Sequence, residues 1–242
     1  MRKQKERNSI VIIVAYVVLG IISFMCIAPV VLMAVASFTD NDVLNLYGYT
    51  YFPQKWSLEA YEFLIKQGTV ISKSFLNSIL VTFMGTALGI MVTVLLAYTI
   101  SRKELVGRKL IMLFVFFTML FNGGMVPTYL MYTQIFHIKN TMWALLFPHL
   151  LVNGFNVLLV RTFFNENIPE VLLEAARIDG AGEISIFRNV VLPISKPILA
   201  TIGLLVGVGY WNDWYNGLLF VTDVNYYTCL LYTSPSPRDY AA

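Results

Sequence analysis

The sequence predicts an all-α polytopic membrane protein. Apolar residues make up 57% of the 242-residue chain and charged residues only 13%, against about 25% charged in a water-soluble domain. The charges are also clustered, with none from Asn8 to Thr39, Ser74 to Ser101, Leu110 to Ile138 or Asn140 to Val160. Each of these gaps holds roughly 20 residues or more, enough to cross about 30 Å of hydrocarbon as a helix. None shows the strict alternation of a barrel strand, and a helix satisfies its own backbone in lipid.

The elements follow in order. A basic start, residues 1–9, precedes a first membrane helix at about 10–36. Its apolar run is too long for a signal-peptide core, so cleavage after Ala34-Val35-Ala36 is not expected. The polar stretch from Phe38 to Ser74 contains Leu58 to Ile65, whose spacing predicts a short surface helix. A second membrane helix, about 75–100, ends at the basic turn Arg102-Lys103 to Arg108-Lys109 around Gly107. A third, about 110–127, loses regularity at Phe121-Asn122-Gly123-Gly124-Met125-Val126-Pro127. Two readings stand there: a break buried in protein or lining a cavity, because lipid cannot satisfy freed backbone groups, or an ordinary helix end at the outer interface. A fourth helix at about 141–161 and a fifth at about 197–219, broken only by Asp213, complete the apolar runs.

Orientation follows from the basic residues. Arg2, Lys3, Lys5 and Arg7, then Arg102, Lys103, Arg108 and Lys109, then Arg161, Arg177, Arg188 and Lys196 fall on one set of loops; Lys55, Lys66, Lys73 and Lys139 fall on the other. The positive-inside rule puts the N-terminus and the 165–195 loop in the cytoplasm. The net charge of +3 thus reports topology and gives no reason to expect a nucleic-acid partner. Cys26 and Cys229 have no metal or disulfide spacing, and His137 and His149 stand alone, so neither a catalytic nor a metal constellation is expected.

The 165–195 loop is the most specific part of the chain. Asn167 as a cap, Pro169 at the first helical position and Glu170 in the first turn predict a short helix running to Ile178. Leu172, Ala175, Ala176 and Asp179 would share one low face. Gly180 falls where a left-handed residue ends a helix, and a second short helix, about 183–190, would stop before Pro193.

The string EAARIDGAGEISIFRNVVLP, from Glu174 to Leu192-Pro193, resembles the EAA loop of binding-protein-dependent ABC importer permeases. Ser101-Arg102-Lys103, Asn122 to Tyr129, Arg161-Thr162-Phe163-Phe164, Leu192 to Pro197 and Trp211-Asn212-Asp213-Trp214 are similar to the carbohydrate-uptake branch, in particular to complex-oligosaccharide and polygalacturonan-type permeases. The resemblance implies a type I ABC importer permease fold with five transmembrane helices present of an expected six and a cytoplasmic EAA helix-turn-helix. It implies docking on a cytoplasmic ABC ATPase dimer through Glu174, Ala175, Ala176, Asp179, Gly180, Leu192 and Pro193. It further implies a second permease subunit in a heterodimer and an extracellular solute-binding lipoprotein.

No G-x-x-x-x-G-K-[ST] pattern occurs, so this chain is expected to be no enzyme and to carry no cofactor, ATP being used by the partner subunit. Tyr210, Trp211, Asn212, Asp213, Trp214 and Asn216, with Tyr215 among them, form an aromatic and amide cluster suited to stacking on sugar rings. The same cluster also reads as an interfacial aromatic belt or a subunit contact. An importer for another solute, or an ion-coupled secondary carrier, is the alternative function. The string from Cys229 to Asp239 resembles translated sequencing-adapter sequence, so 229–242 is expected to be a non-native tail replacing a sixth helix; a short natural tail is the other reading.

Overall fold

The computed structural model describes residues 2–148 and 151–233, with the first ten of these described as backbone alone. His149 and the Ser234-Pro235-Ser236-Pro237 part of the tail lie outside the described residues. The chain divides into two units, Met1–Val70 and Ile71–Ala242.

The first unit is built on α1 (Arg2–Ser37), followed by α2 (Asn41–Tyr47) and α3 (Glu59–Lys66). Over 12–37, α1 has no buried residue, as expected of a helix whose solvent is lipid or a partner. The short helix expected near 58–65 is α3. The sequence reading missed α2, whose signal was Asp40: its carboxylate caps the helix by accepting from the Asp42 N–H at 3.1 Å and also pairs with Lys55. An antiparallel bridge between Thr39 and Trp56 closes the loop between them, with the Ser57 N–H donating to the Phe38 carbonyl at 2.8 Å.

The second unit is framed by α4 (Gly68–Ser101), α5 (Arg108–Leu120), α8 (Gly154–Asn167) and α12 (Lys196–Trp211). Helix α4 starts seven residues before the expected 75, because nothing in Gly68 to Ser74 breaks a helix and Ser74 is buried. The irregularity foreseen in the third run is a 116° bend between α5 and the segment Met125–Ile135, turned at Gly124 (φ 82°). That segment is α6 (Met125–Leu130) continued by a π turn, Met131–Ile135. Among the described residues, two helices are long and apolar enough to cross a membrane unaided, and each of two bent pairs would add one more.

The fourth run departs from expectation. In place of one helix over 141–161 there are α7 (Trp143–Leu146) and α8, with the described residues between them, 147–148 and 151–153, non-helical. Pro148 lacks the N–H a helix needs, and Asn153 opens α8 instead, its side chain accepting from the Phe155 N–H at 2.9 Å. The carbonyls released by this break are taken up from across the unit. The Tyr210 hydroxyl, on α12, donates to the Leu146 carbonyl at 2.7 Å. The Asn216 amide, on α13 (Tyr215–Phe220), donates to the Pro148 carbonyl at 2.9 Å.

Tyr210 reaches that carbonyl across a helix contact made of small residues. A Cβ added at Gly85 would lie 2.5 Å from the Tyr210 ring, one at Gly89 3.1 Å from Val206, and one at Gly207 3.3 Å from Thr86. Gly85 and Gly89 on α4, and Gly203 and Gly207 on α12, are each spaced by four, the small-residue spacing that lets membrane helices approach closely. Around this crossing sits the core: Ala97, Ile100, Val157, Val160 and Ile202 are fully buried.

Any side chain at Gly85 must therefore displace a ring held by a buried hydrogen bond. Gly85→Val is expected to lower the detergent melting temperature by several degrees, whereas Gly20→Val, with nothing within 4 Å of its added Cβ, leaves it unchanged. Tyr210→Phe leaves the Leu146 carbonyl unpaired and costs about 1–3 kcal/mol. Thermal scanning of the three variants checks this, and equal melting temperatures for Gly85→Val and Gly20→Val would contradict the packing.

Candidate functional site

The loop that follows α8 is a helix, a glycine turn and a second helix. Helix α9 (Glu170–Ile178) starts after Pro169, which occupies the cap position in extended conformation (ψ 131°) and not the first helical position. Asn167 does not cap it; it ends α8, its amide donating to the Phe163 carbonyl at 3.1 Å. The residue before a proline avoids the helical region, so α8 had to end there and α9 had to begin beyond it.

Helix α9 ends in a complete Schellman motif. The Ala181 N–H donates to the Ala176 carbonyl at 2.9 Å and the Gly180 N–H to the Arg177 carbonyl at 3.0 Å, with Gly180 at φ 81°. A residue with a side chain in that left-handed conformation costs about 1 kcal/mol, and proline cannot adopt it.

Leu173 is the residue that orients α9, because it is buried in the core while its neighbours are not. The outward face is then Val171, Glu174, Ala175 and Ile178, with Val171 72% and Ile178 85% exposed. Of the face expected from spacing, Leu172, Ala175 and Asp179 are exposed, and only Ala176 turns half inward onto the core. Helical periodicity gave the set of possible faces, and only the core could choose among them.

The second helix is longer than expected. It runs as α10 (Glu183–Ile186), a π turn (Phe187–Val191) and α11 (Leu192–Ile194), then bends 81° into α12. Pro193 therefore lies inside the helical run and does not end it. The wider i→i+5 turn just before it accommodates a residue without an N–H, and the break falls at Ser195, fully buried with its hydroxyl donating to the Val191 carbonyl at 2.6 Å. Leu192 packs partly against the core and Pro193 is exposed.

A polar network ties this loop to the end of α4. Arg177 binds Glu104 and, at 2.8 Å, Glu183; the Tyr98 hydroxyl donates to Glu183 at 2.8 Å; and Lys103 pairs with Glu170 at 2.6 Å. The Arg102 guanidinium lies 4.2 Å over the Tyr98 ring. The Arg177 hydrogen bond holds the Glu104 carboxyl below its ordinary range, and Tyr98, then Arg177, does the same to Glu183. Both carboxylates in turn push Arg177 upward. Sequence reasoning used Arg177 only as a topological marker; its position three residues after Glu174 carried no sign of its partners.

The aromatic cluster divides in two. Tyr210 and Asn216 are buried, at 3% and 1% exposure, and hold the carbonyls of the α7–α8 break. Asp213 braces Asn216, accepting from its backbone N–H at 3.1 Å and its side-chain amide at 2.8 Å. Trp211 and Trp214 are exposed, Trp211 lying edge-on to Phe75 with centroids 6.0 Å apart, and Asn212 is exposed with its amide on the Val208 carbonyl.

Residues 85–224 match the family of binding-protein-dependent transport system inner membrane components, and the chain belongs to that family. The chain is 36% identical to the polygalacturonan/rhamnogalacturonan transport system permease protein YtcP of Bacillus subtilis over 217 residues, 90% of this chain and 74% of that one. It is 31% identical to the trehalose/maltose transport system permease protein MalG of Thermococcus litoralis over 224 residues, 91% of this chain and 78% of that one. The fold also matches a bacterial ABC transporter involved in the import of the acidic polysaccharide alginate, with a TM-score of 0.83 and 26% identity over 95% of this chain and 83% of that one. Family membership removes the secondary-carrier alternative.

A carboxylate whose folded pKa is depressed stabilises the fold above its unfolded pKa and loses that contribution as pH falls through the folded value. Exchange protection of the α9 amides, corrected for intrinsic rates, is thus expected to hold from neutral pH to about 4 and to fall below it. Arg177→Ala should lower protection at neutral pH and flatten the acid limb. Identical profiles for the two proteins would contradict the network.

Proposed function

We propose that this chain is the permease subunit of an ATP-driven importer for an oligosaccharide, working with a second permease, a separate cytoplasmic ATPase pair and an extracellular binding lipoprotein. The observation that carries the reading is the outward face of α9. Val171 and Ile178 are large apolar residues held in solvent on a helix that Leu173 and the Arg177 network fix in place, the arrangement of a surface awaiting a groove. In this reading Glu174 meets a basic or polar group of the ATPase, Ala175 permits close approach with Ala176 beside it, and Gly180 with Asp179 sets the turn. Leu192 and Pro193 pass the movement into α12. In this reading the loop and the N-terminus lie in the cytoplasm, which the basic clusters at Arg102 to Lys109 and Arg161 to Lys196 support.

The cargo follows from the relatives: YtcP and MalG are named for polygalacturonan/rhamnogalacturonan and trehalose/maltose transport, and the structural match imports alginate. With Tyr210 and Asn216 committed to backbone carbonyls and Asp213 bracing Asn216, Trp211, Asn212, Trp214 and Tyr215 are the exposed members of the cluster left to meet a sugar.

Two experiments test these parts separately. Glu174→Lys and Gly180→Pro are expected to abolish copurification of the ATPase encoded with this chain, and an intact complex in both variants would overturn the docking role. Trp211→Ala is expected to cut uptake of a uronic-acid oligosaccharide at least tenfold while the ATPase still copurifies. Undiminished uptake would reduce Trp211 to an interfacial residue.

A further inference from the structure

At the root of the α9 loop a half-open cleft of about 420 Å³ lies between the ends of α4 and α8 and the start of α5. Its walls carry five bases and four acids, and the charges are unevenly used. Lys103 and Arg177 are committed to Glu170 and to Glu104 and Glu183. Arg102, Arg108 and Arg161 form no ion pair among the described residues. The Nε atoms of Arg102 and Arg161 are moreover buried without any hydrogen-bond partner, although an unmet buried donor costs about 1–3 kcal/mol and more when charged.

Three arginines without an ion pair line one space, Arg102 with its guanidinium over Tyr98, and two of them carry a buried, unmet Nε–H; this donor set suits a tetrahedral oxyanion that accepts several forked hydrogen bonds. We propose that this cavity, which Glu174 of the proposed docking face borders, is a binding site for a phosphate group independent of the proposed cargo. The surroundings show how it could arrive: directly beyond Arg108, α5 presents Leu110, Leu113, Phe114 and Phe117, each more than half exposed, as an apolar stripe. A phospholipid with its acyl chains along that stripe brings its phosphate to Arg108, and inorganic phosphate reaches the same arginines from water. Glu166 and Glu174, which line the same cavity without ion pairs, are the intramolecular competitors.

The test is native mass spectrometry and thermal scanning of the full chain in detergent, titrated with phosphatidylglycerol, with phosphatidylcholine of the same acyl chains, and with inorganic phosphate. Phosphatidylglycerol is expected to bind and raise the melting temperature, with at least tenfold weaker binding in Arg102→Gln/Arg161→Gln and undiminished binding in Arg188→Gln, whose exposed base lies outside the cavity. Arg102→Lys/Arg161→Lys keeps the charge without the fork and should lie between the two, which guards against a glutamine variant that merely misfolds. Saturation by inorganic phosphate at equal occupancy assigns the site to the free ion, and binding of phosphatidylglycerol alone assigns it to the lipid. Absence of binding by all three ligands to the unsubstituted chain, or equal binding by the glutamine double variant, overturns the proposal and leaves Glu166 and Glu174 as the partners of these arginines.

Discussion

A polar backbone in an apolar surrounding must be satisfied from within, and the organisation of this chain follows from the one place where its helices cannot do so alone. Between α7 and α8 the helix is broken by Pro148, and the carbonyls of Leu146 and Pro148 are met by Tyr210 and Asn216 from the far end of α12 and from α13. The Tyr210 bond is made with its ring lying directly on Gly85 of α4, where any side chain would displace it. The glycine spacing, the helix break and the two buried polar side chains are thus one device. Each element would carry an uncompensated cost without the others.

The same rigidity extends to the loop. Leu173 and Ile186 sink into the core from α9 and α10, and Ser195 is buried at the 81° bend into α12. Arg177 joins α9 to both Glu104, beyond α4, and Glu183, at the start of the second helix. Exposed ion pairs are individually weak, but here they act on a helix already fixed by its Schellman turn and its one buried leucine. Val171 and Ile178 thus stand on a helix tied both to the end of α4 and to the helical run that leads into α12.

Much of this was legible in the sequence, and the gaps have physical causes. Charge-free runs gave the helical membrane class, Gly123-Gly124 and Pro127 marked the bend after α5, and Gly180 marked the end of α9. The fourth run read as one helix because its hydropathy is continuous; Pro148 and Asn153 were visible, but the side chains that make a break tolerable lie more than 60 residues away. Asn216 and Tyr210 looked like ligands for sugar because an amide and a phenol in an apolar run need partners, and the sequence does not say that the partners are backbone carbonyls. The inward turn of Ala176 has the same cause: the orientation of α9 is decided by Leu173 against a core assembled from distant helices.

The central claim is that α9 turns one defined face toward a soluble partner while Leu173 pins the other. Photo-crosslinking reads this directly, with a photoreactive residue introduced singly at positions 171, 173, 174, 175 and 178 of the chain expressed with its ATPase. The account predicts crosslinks to the ATPase from positions 171, 174, 175 and 178 and none from 173. Equal crosslinking from position 173, or crosslinks from none of the outward positions, would contradict it.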